Sequence, residues 1–557
     1  MSHELAPAHT RTSDDDKKEA GRGATASPAA GSASERADDA HLGGAHGEAV
    51  DREHRWWSME EDRRVRRKLD VRILPILFIT YLLAALDRSN IGNARTAGMN
   101  KDLGISSPQF QWLLTMFYIG YALFQWLLLA LKILPPSRWM AGCVFVWGVA
   151  SVLQSTATGW SGLMACRFFL GVAEAGFGTA VALYYSFFYP KEEIGIRFAI
   201  FLTSSALGSC IAGSIAYGIQ QTRTAVEPWR LLFIVEGLPT IIVAFIVLFF
   251  LPDSIASASF LTPRERSIAE ARLFRETVDR SAAARLDEHA GAGEQKQKFS
   301  ALRAIKADVA AKLDFSNAKG ALLDPMAWTS AILLFIVNVS YSSVPVYLPT
   351  FINELGYTSI RSQGLSAPPY LVAWIMALAI VYVSDRLMVR GVFVCGMFCV
   401  GIAGYVMLAV SENVHVRYGA TYLVVLSLFT DIPLIYMLNI HNSVGESRRG
   451  VALVALGVIG QCGPFLGVRL FPDADKPLYR KGMWTSTGIL IGGAAISATA
   501  SLLLWMRNRR RDAAQAALER SEGYAVEKRA DPDDERWRQK LDVARRGEAS
   551  IYFRYQV

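Results

Sequence analysis

Residues 82–98, LLAALDRSNIGNARTAG, begin as an apolar run and then place Asp87 directly beside Arg88. An ionisable side chain inside a membrane-spanning helix costs several kcal/mol unless it faces protein or water, so this pair predicts an internal polar site. Asn90 and Gly92 follow, and their small or polar side chains would suit a helix that lines a cavity. The alternative is that the pair ends the helix at the membrane surface and only anchors it there.

The composition indicates an integral membrane protein. The chain has 557 residues, of which 52% are hydrophobic and 19% charged, and its mean hydropathy is +0.24. A soluble chain of this length would need more charge to cover its surface. The net charge of +8 comes from Lys and Arg clustered beside apolar runs, as the positive-inside rule describes. No zinc, helix-turn-helix or RNP-type pattern occurs, so we do not expect nucleic-acid binding.

Twelve apolar segments are long enough to cross a bilayer, which requires about 20 mostly apolar residues. They lie at 73–92, 111–131, 138–157, 163–186, 197–219, 230–251, 328–350, 367–384, 391–410, 418–438, 450–471 and 482–505. The sequence therefore predicts five regions: a disordered N-terminal tail at 1–70, a six-helix bundle at 71–252, a polar central loop at 253–326, a second six-helix bundle at 327–506, and a C-terminal tail at 507–557.

The charged loops predict the orientation. Arg63, Arg64, Arg66, Arg67 and Lys68 precede the first segment, and Arg507, Arg509, Arg510 and Arg511 follow the last. Both tails and the central loop are therefore expected in the cytoplasm, with the protein in the plasma membrane. An all-α membrane protein with two groups of six helices matches the major facilitator architecture. Such folds place the substrate site near the midplane and expose it alternately by rocking one half against the other.

Six charged residues lie well inside the predicted spans, away from the span ends: Asp87, Arg88, Arg167, Glu174, Glu236 and Asp431. In RFFLGVAEAGFG, Arg167 and Glu174 are two helical turns apart, so they lie on one face of the helix, about 10 Å apart along its axis. Glycines between and after them would let a helix or a ligand approach. The functional interpretation is a site for protons and substrate. The alternative is a buried ion pair that only locks two helices together. The role of Asp431 stays open.

Two further sets of residues are candidates for the cavity wall and for its gates. The wall candidates are Asn90, Tyr118, Tyr121, Gln125, Asn338, Tyr341 and Trp374, although aromatic residues in membrane helices also serve as core or interface residues. The gate candidates lie in the turns VSDRLMVRG and YPKEEIGIR: Asp385, Arg386, Arg390, Glu192 and Arg197. Basic turns that only set the topology would look the same.

A family resemblance rests on RRKLDVRILPILFITYLLAALDRSNIGNA, RFFLGVAEAGF, WRLLFIVEGLP, YLPTFINELGYTS and HNSVGESRRG. Over 67–506 the chain resembles the anion:cation symporter family of the major facilitator superfamily, most of all its fungal allantoate, nicotinate and pantothenate permease branch. The resemblance implies proton-coupled uptake of a small organic anion, such as a carboxylate vitamin. It also implies that Asp87, Arg88, Arg167 and Glu174 handle the proton, and that Arg88 or Arg167 attracts the substrate carboxylate. Leu438 and His441 depart from the family pattern, which weakens transfer of any specific substrate.

Other function classes fit less well. No hydrolase triad, nucleotide-binding loop or HExxH motif occurs, so an enzyme is not expected, and neither is a cofactor or metal. The six cysteines lie within apolar segments, which does not suit a disulfide framework. We expect a monomer. A non-transporting nutrient sensor (transceptor) of the same fold and a drug-type exporter stay open as alternatives.

Overall fold

The computed structural model describes residues 57–178, 180–222, 225–273, 324–387, 389–442 and 446–521. All regular elements in these ranges are helices. Most of the predicted N-terminal tail, central loop and C-terminal tail lie outside the described residues. The side chain of Glu192 is also outside them.

Among the described residues, twelve helices of 15 residues or more carry the fold, and they follow the predicted spans in order. They are α1 (Met59–Thr96), α2 (Ser107–Leu123), α3 (Pro136–Leu153), α4 (Trp160–Ala175), α5 (Lys191–Gln221), α6 (Pro228–Phe250), α7 (Pro325–Glu354), α8 (Ser359–Leu387), α9 (Arg390–Val410), α10 (Val414–Asn442), α11 (Glu446–Gly460) and α12 (Arg480–Ser521).

Three of the predicted spans are interrupted within the described residues, which the hydropathy pattern did not predict. The fourth resumes after Ala175 as a short helix, Ala180–Tyr185. Ten helices in the described part of the chain are long and apolar enough to cross a membrane. The α2 helix instead ends at Leu123 and continues as a 3₁₀ helix, Gln125–Lys132. The α11 helix ends at Gly460 and is followed by a short helix, Gly463–Gly467. Glycine and proline in the break after α11 explain it, since Gly463 and Pro464 favour a new helix start.

The first helix begins well before the apolar run. Polar residues from Met59 onward are helical because Glu60, Glu61 and Asp62 stand in the first turn, where negative charge stabilises the helix dipole. This extension packs against the segment after α6 through ion pairs such as Lys68–Glu265 at 2.7 Å and Arg272–Asp62 at 3.1 Å. Some of the residues predicted as tail or loop are thus ordered parts of the fold.

The helix pairs of α1–α6 recur in α7–α12. In the first half, α1 packs on α5 and α6, α2 on α4, and α3 on α4 and α6. The corresponding pairs of the second half are α7 with α11 and α12, α8 with α10, and α9 with α10 and α12. The halves meet through α1 with α7, α5 with α8 and α10, and α2 with α11. We call the side at which α1 begins and α12 ends the terminal side, and the other the opposite side.

The outer surface is apolar and the interior carries the polar groups. Large side chains such as Phe249, Leu123 and Val410 are more than half exposed, which suits contact with lipid rather than water. Asp87, Arg167, Glu174, Glu236 and Asp431 are all buried. This distribution is that of a multi-pass membrane protein with a polar centre.

Candidate functional site

A central cavity lies between the two halves. Its empty volume, open solvent included, is about 390 Å³, and the first half lines it with Tyr81, Arg88, Tyr121, Gly178, Phe198 and Leu202. The second half contributes Leu334, Asn338, Tyr341, Ile432, Tyr436 and Gln461. Both halves supply polar atoms and aromatic rings, so a ligand held here would touch α1, α2, α7 and α10 together.

Arg88 is the charged residue in the wall of this cavity. Its guanidinium forms an ion pair with Glu174 of α4, whose side chain is 1% exposed. The guanidinium also lies within 6 Å of three ring centroids, those of Tyr81 at 5.9 Å, Phe117 at 5.6 Å and Tyr121 at 5.5 Å. A positive charge over aromatic faces is stabilised where water is excluded. Arg88 is thus a fixed cation in the cavity wall, with Glu174 as its present anion.

Asp87, the neighbour of Arg88 in sequence, faces into the first half instead of the cavity. Its Oδ1 accepts a hydrogen bond from Ser151 of α3, and Thr240 Oγ1 of α6 lies 3.5 Å from its Oδ2. Successive residues of a helix point about 100° apart, which is why adjacent charges reach different places. Asp87 therefore has hydroxyl partners on α3 and α6 and does not touch the cavity.

Arg167 is buried between these groups without lining the cavity. It is 2% exposed, and its charge acts first on Asp87 and more weakly on Glu174. Its Nε and Nη2 have no hydrogen-bond partner among the described residues. The predicted sharing of a face by Arg167 and Glu174 does not become an ion pair, because Arg88 occupies the Glu174 carboxylate.

Four of the predicted substrate-binding residues line the cavity: Arg88, Tyr121, Asn338 and Tyr341. Asn338 Nδ2 also donates to the carbonyl oxygen of Gly460 at 3.0 Å, where α11 ends. An amide, a phenol and a guanidinium can together bind a carboxylate and a polar ring substituent.

The other predicted wall residues, besides Arg167, lie elsewhere. Asn90 shares the face of Asp87 and is fully buried, and Tyr118 packs edge-on against Phe117. Gln125 lies against Gly457 of α11, because the 3₁₀ continuation of α2 changes the helical period. Trp374 is on a face of α8 whose neighbours Leu371 and Ile375 are exposed. The structure thus places these four outside the cavity wall.

Three polar wall residues were not predicted: Tyr81, Tyr436 and Gln461. Tyr81 precedes Arg88 by seven residues on one helix, so a common face could have been inferred from the spacing. Tyr436 follows Pro433 on α10, and Gln461 sits in the break after α11. No sequence pattern indicates that this break turns toward the cavity.

On the terminal side the halves close around α5 and α10. A Cβ added at Gly195 of α5 would lie 2.5 Å from His441 Cε1 of α10, and the rings of Phe198 and Tyr436 are 5.4 Å apart. The gate candidates lie beside this contact. Arg390 pairs with Asp385 and contacts His441, which positions the His441 ring against α5.

The remaining gate candidates act within one half. Arg197 binds Asp70 of α1 through two hydrogen bonds of 2.7 and 2.9 Å. Arg386 is exposed and contacts Tyr382 on its own helix, at 3.2 Å from Nε to the hydroxyl. An exposed contact of this kind contributes little, so Arg386 does not connect helices.

On the opposite side an ion pair and backbone contacts join the halves. Arg95 Nη2 of α1 lies 2.8 Å from both carboxylate oxygens of Asp473, in the segment before α12. Gln363 Nε2 of α8 donates to Thr96 Oγ1 at 2.7 Å. Burial acts to raise the pKa of Asp473, but Arg95, a hydrogen bond with Ser107 and Lys476 together hold it below its ordinary value. We call the Arg95–Asp473 pair the opposite-side latch.

Asp431 is the buried acid of the second half. It is fully buried, Ser427 Oγ donates to its Oδ2 at 3.3 Å, and Ser427 faces Gly401 of α9. It therefore lies inside the second half and does not line the cavity.

The sequence profile of the Major Facilitator Superfamily matches residues 77–468. The chain belongs to this superfamily. It is 30% identical to the major facilitator-type transporter hxnP of Emericella nidulans, over 82% of this chain and 89% of the relative. It is 27% identical to a high-affinity nicotinic acid transporter of Saccharomyces cerevisiae, over 76% of this chain and 74% of the relative. The predicted resemblance to this superfamily and its fungal members is confirmed.

Solved structures agree on the fold. The D-xylose-proton symporter matches with a TM-score of 0.53 at 14% identity, over 78% of this chain and 97% of that one. A bacterial homolog of the human lysosomal transporter Spinster, inward-facing and occupied, matches with a TM-score of 0.53 at 15% identity, over 77% of this chain and 96% of that one. The predicted all-helical major facilitator fold is confirmed, and the chain is a multi-pass membrane protein related to transporters.

Proposed function

We propose that this protein carries a small organic anion into the cell together with protons. The observation that supports the proposal is the Arg88–Glu174 ion pair at the wall of the central cavity. A substrate carboxylate and the Glu174 carboxylate would compete for the same guanidinium. Since Arg keeps its charge at any physiological pH, Arg88 becomes available only when Glu174 moves away or takes up a proton.

This competition links the two ligands. A proton on Glu174 removes the anion that occupies Arg88 and so favours binding of the substrate, and by reciprocity bound substrate favours protonation of Glu174. Net charge at the site is then unchanged, since one anion replaces another and one proton neutralises the displaced carboxylate. The transporter could pass through the closed intermediate with both substrate and proton bound or with neither. With only one of the two bound, it would bury an unpaired charge.

The aromatic wall favours a small, flat substrate. Tyr81, Tyr121, Tyr341 and Tyr436 surround Arg88 in the cavity, and aromatic rings pack well against planar groups. The nicotinic acid transporter among the relatives carries such a compound. A nicotinate-like carboxylate is therefore the first substrate to test. We further propose that the terminal side faces the cytoplasm, so that both termini and the central loop are inside and the protein lies in the plasma membrane.

Proteoliposomes containing the full-length protein test this function. We expect radiolabelled nicotinate to accumulate when the medium on the opposite side is more acidic. Pantothenate, biotin, allantoate, tartrate and short peptides are the competitors to test, and any of them that binds the same site should displace nicotinate. Collapse of the proton gradient should abolish accumulation but leave nicotinate exchange. Binding without movement would indicate a sensor, and outward pumping against the gradient would indicate an exporter; either result would contradict the proposal.

A further inference from the structure

Glu236 of α6 is a buried acid that the proposed mechanism does not yet use. Its side chain is 2% exposed. Neither Oε1 nor Oε2 has a hydrogen-bond partner among the described residues. It does not line the central cavity, so it is not a candidate for contact with the substrate. Buried carboxylates without hydrogen bonds are rare and need a physical reason.

Glu236 lies within electrostatic reach of Asp87. Asp87 is the charged group that acts on it, and Thr240, one turn further along α6, approaches both residues. Thr240 Oγ1 is 3.2 Å from the Glu236 carbonyl oxygen and 3.5 Å from Asp87 Oδ2. Both acids lie at a similar depth, about 12–14 Å from the opposite-side ends of their helices. We call the space between Asp87, Glu236, Ser151 and Thr240 the carboxyl pocket.

No described cation lies against Glu236. The helices packed on α6 are α1, α3 and, more weakly, α5. The α3 helix has a single charged residue, Arg138, at its terminal-side end, and the charges of α5 stand in its first two turns. On α6 itself, Arg230 is held by the carbonyl oxygens of Ser155 and Ala157 at the opposite-side end. Beyond Asp87 come Arg167 and Glu174 of α4.

The buried charged groups around Asp87 in the first half do not balance without a proton. Three carboxyl groups, those of Asp87, Glu174 and Glu236, face two guanidinium groups, those of Arg88 and Arg167. Glu174 has Arg88, and Asp87 has two hydroxyl partners and the charge of Arg167. Among the described residues, Glu236 has neither a hydrogen-bond donor nor a cation beside it. An ionised carboxylate in such a place would cost more free energy than a neutral carboxylic acid, because burying an unpaired charge costs more than burying an unpaired neutral polar group.

Tight packing separates the carboxyl pocket from bulk water. A Cβ added at Gly237 would lie 2.7 Å from Val152 Cγ2, and one added at Gly148 would lie 3.0 Å from Ile241 Cγ1. The α3 and α6 helices thus touch at the level of Glu236. A proton on Glu236 can leave through Asp87, or when α1, α3 and α6 move apart.

We propose that Glu236 is a third proton-binding residue of the transporter and holds the proton of the first half in this closed form. When the half rearranges, the O–H bond of the Glu236 carboxyl breaks and the Asp87 carboxylate gains the proton. Asp87 then passes it to water on the side that opens. This inference rests on the proposed proton coupling and adds to it the place where the proton is kept between binding and release.

Infrared spectroscopy of the full-length protein in lipid tests the location of the proton without any substrate. We expect a carbonyl stretch of a protonated carboxyl group at neutral pH, sensitive to exchange of H₂O for D₂O, that is absent in E236Q. The matched control is E227Q, a change of the same kind at the exposed start of α6, which should keep the band. A spectrum of E236Q with all the protonated-carboxyl bands of the wild type, or loss of the band only in D87N or E174Q, would overturn the proposal.

Transport of nicotinate separates a proton-binding role from a structural one. We expect E236Q to keep nicotinate exchange, while its proton-driven accumulation of nicotinate falls about fivefold or more below that of the wild type. E236D should recover part of this accumulation. Equal accumulation by E236Q and E227Q would overturn the proposal. If the wild-type protein carries no nicotinate, the proposed substrate fails, but the infrared measurement still decides where the proton lies.

Discussion

At the scale of single residues, the site depends on two neighbours that face different surroundings. Asp87 and Arg88 form no pair with each other; Arg88 reaches the cavity and Glu174, while Asp87 reaches Ser151 and Thr240. One helical step separates a cation that faces the cavity from an internal acid. Arg88 and Glu174 form an ion pair at the wall of the cavity, so in the proposed mechanism the two alternatives raised by the sequence, a buried ion pair and a functional site, do not exclude each other.

Replacing Arg88 by lysine should weaken substrate binding while keeping the charge. Lysine cannot form a bidentate contact with a carboxylate or stack on Tyr81 and Tyr121 in the same way. We expect the KM for nicotinate to rise roughly tenfold, which corresponds to about 1.4 kcal/mol. The control is R507K at an exposed position of α12. Uptake kinetics with an unchanged KM in R88K would show that Arg88 does not contact the substrate.

The opposite-side latch should not be the pH sensor of the protein. The pKa of Asp473 is below its ordinary value in the closed form. The ion pair of the latch is therefore fully formed at a pH above the ordinary pKa of about 3.9, and it is lost only as the pH falls through the lowered pKa. We expect D473N to open the opposite side to the same extent at pH 5 and pH 7.

This can be measured by the reaction of an impermeant maleimide with the cysteine of N338C, after serine replaces the six native cysteines. Each rate is divided by that of the same cysteine in the unfolded protein at the same pH, because the thiolate is the reacting form. A wild-type latch that opens between pH 7 and pH 5, with the pH dependence lost in D473N, would contradict the assignment.

The residues of the site could be predicted from the sequence better than their contacts. Charge inside an apolar segment singles out Asp87, Arg88, Arg167, Glu174 and Glu236, because the cost of burial makes such residues rare. Which of them pair depends on the rotation of each helix about its axis. A small rotation changes whether Arg167 or Arg88 meets Glu174, and hydropathy carries no information about it.

At the scale of helices, the breaks in the second and eleventh spans occur where the halves meet. The 3₁₀ part of α2 brings Gln125 to Gly457 of α11, and the break after α11 brings Gln461 to the cavity. Irregular backbone at membrane depth is tolerated where it is covered by protein or lines a cavity. The apolar runs predict both spans but not these interruptions, since hydropathy averages over a whole turn.

Glycines let α1 and α7 touch on the opposite side. A Cβ added at Gly92 would lie 2.3 Å from the carbonyl oxygen of Val346, so G92A must push the helices apart and should destabilise the closed form by about 1–3 kcal/mol. We expect faster maleimide labelling of N338C from the opposite side.

The matched control is G142A on α3, where a Cβ meets nothing within 4 Å and labelling should not change. Equal labelling in G92A and G142A would mean that this contact does not hold the opposite side closed.

At the scale of the whole molecule, the halves are in contact on both sides of the cavity. His441 and Tyr436 meet α5 on the terminal side, and the latch and Gly92 join the halves on the opposite side. Transport requires one set of contacts to break while the other holds. The recurrence of the helix pairs in the two halves follows from the order of the apolar segments, but which contacts close each side could not be predicted without the positions of the helices.

The coupling of proton and anion is the central claim, and transport by D87N and E174Q in proteoliposomes tests it most directly. We expect both variants to exchange nicotinate across the membrane but to lose accumulation driven by a proton gradient, because amides cannot take up and release the proton. E227Q should behave as the wild type. Full proton-driven accumulation in both D87N and E174Q would contradict the account.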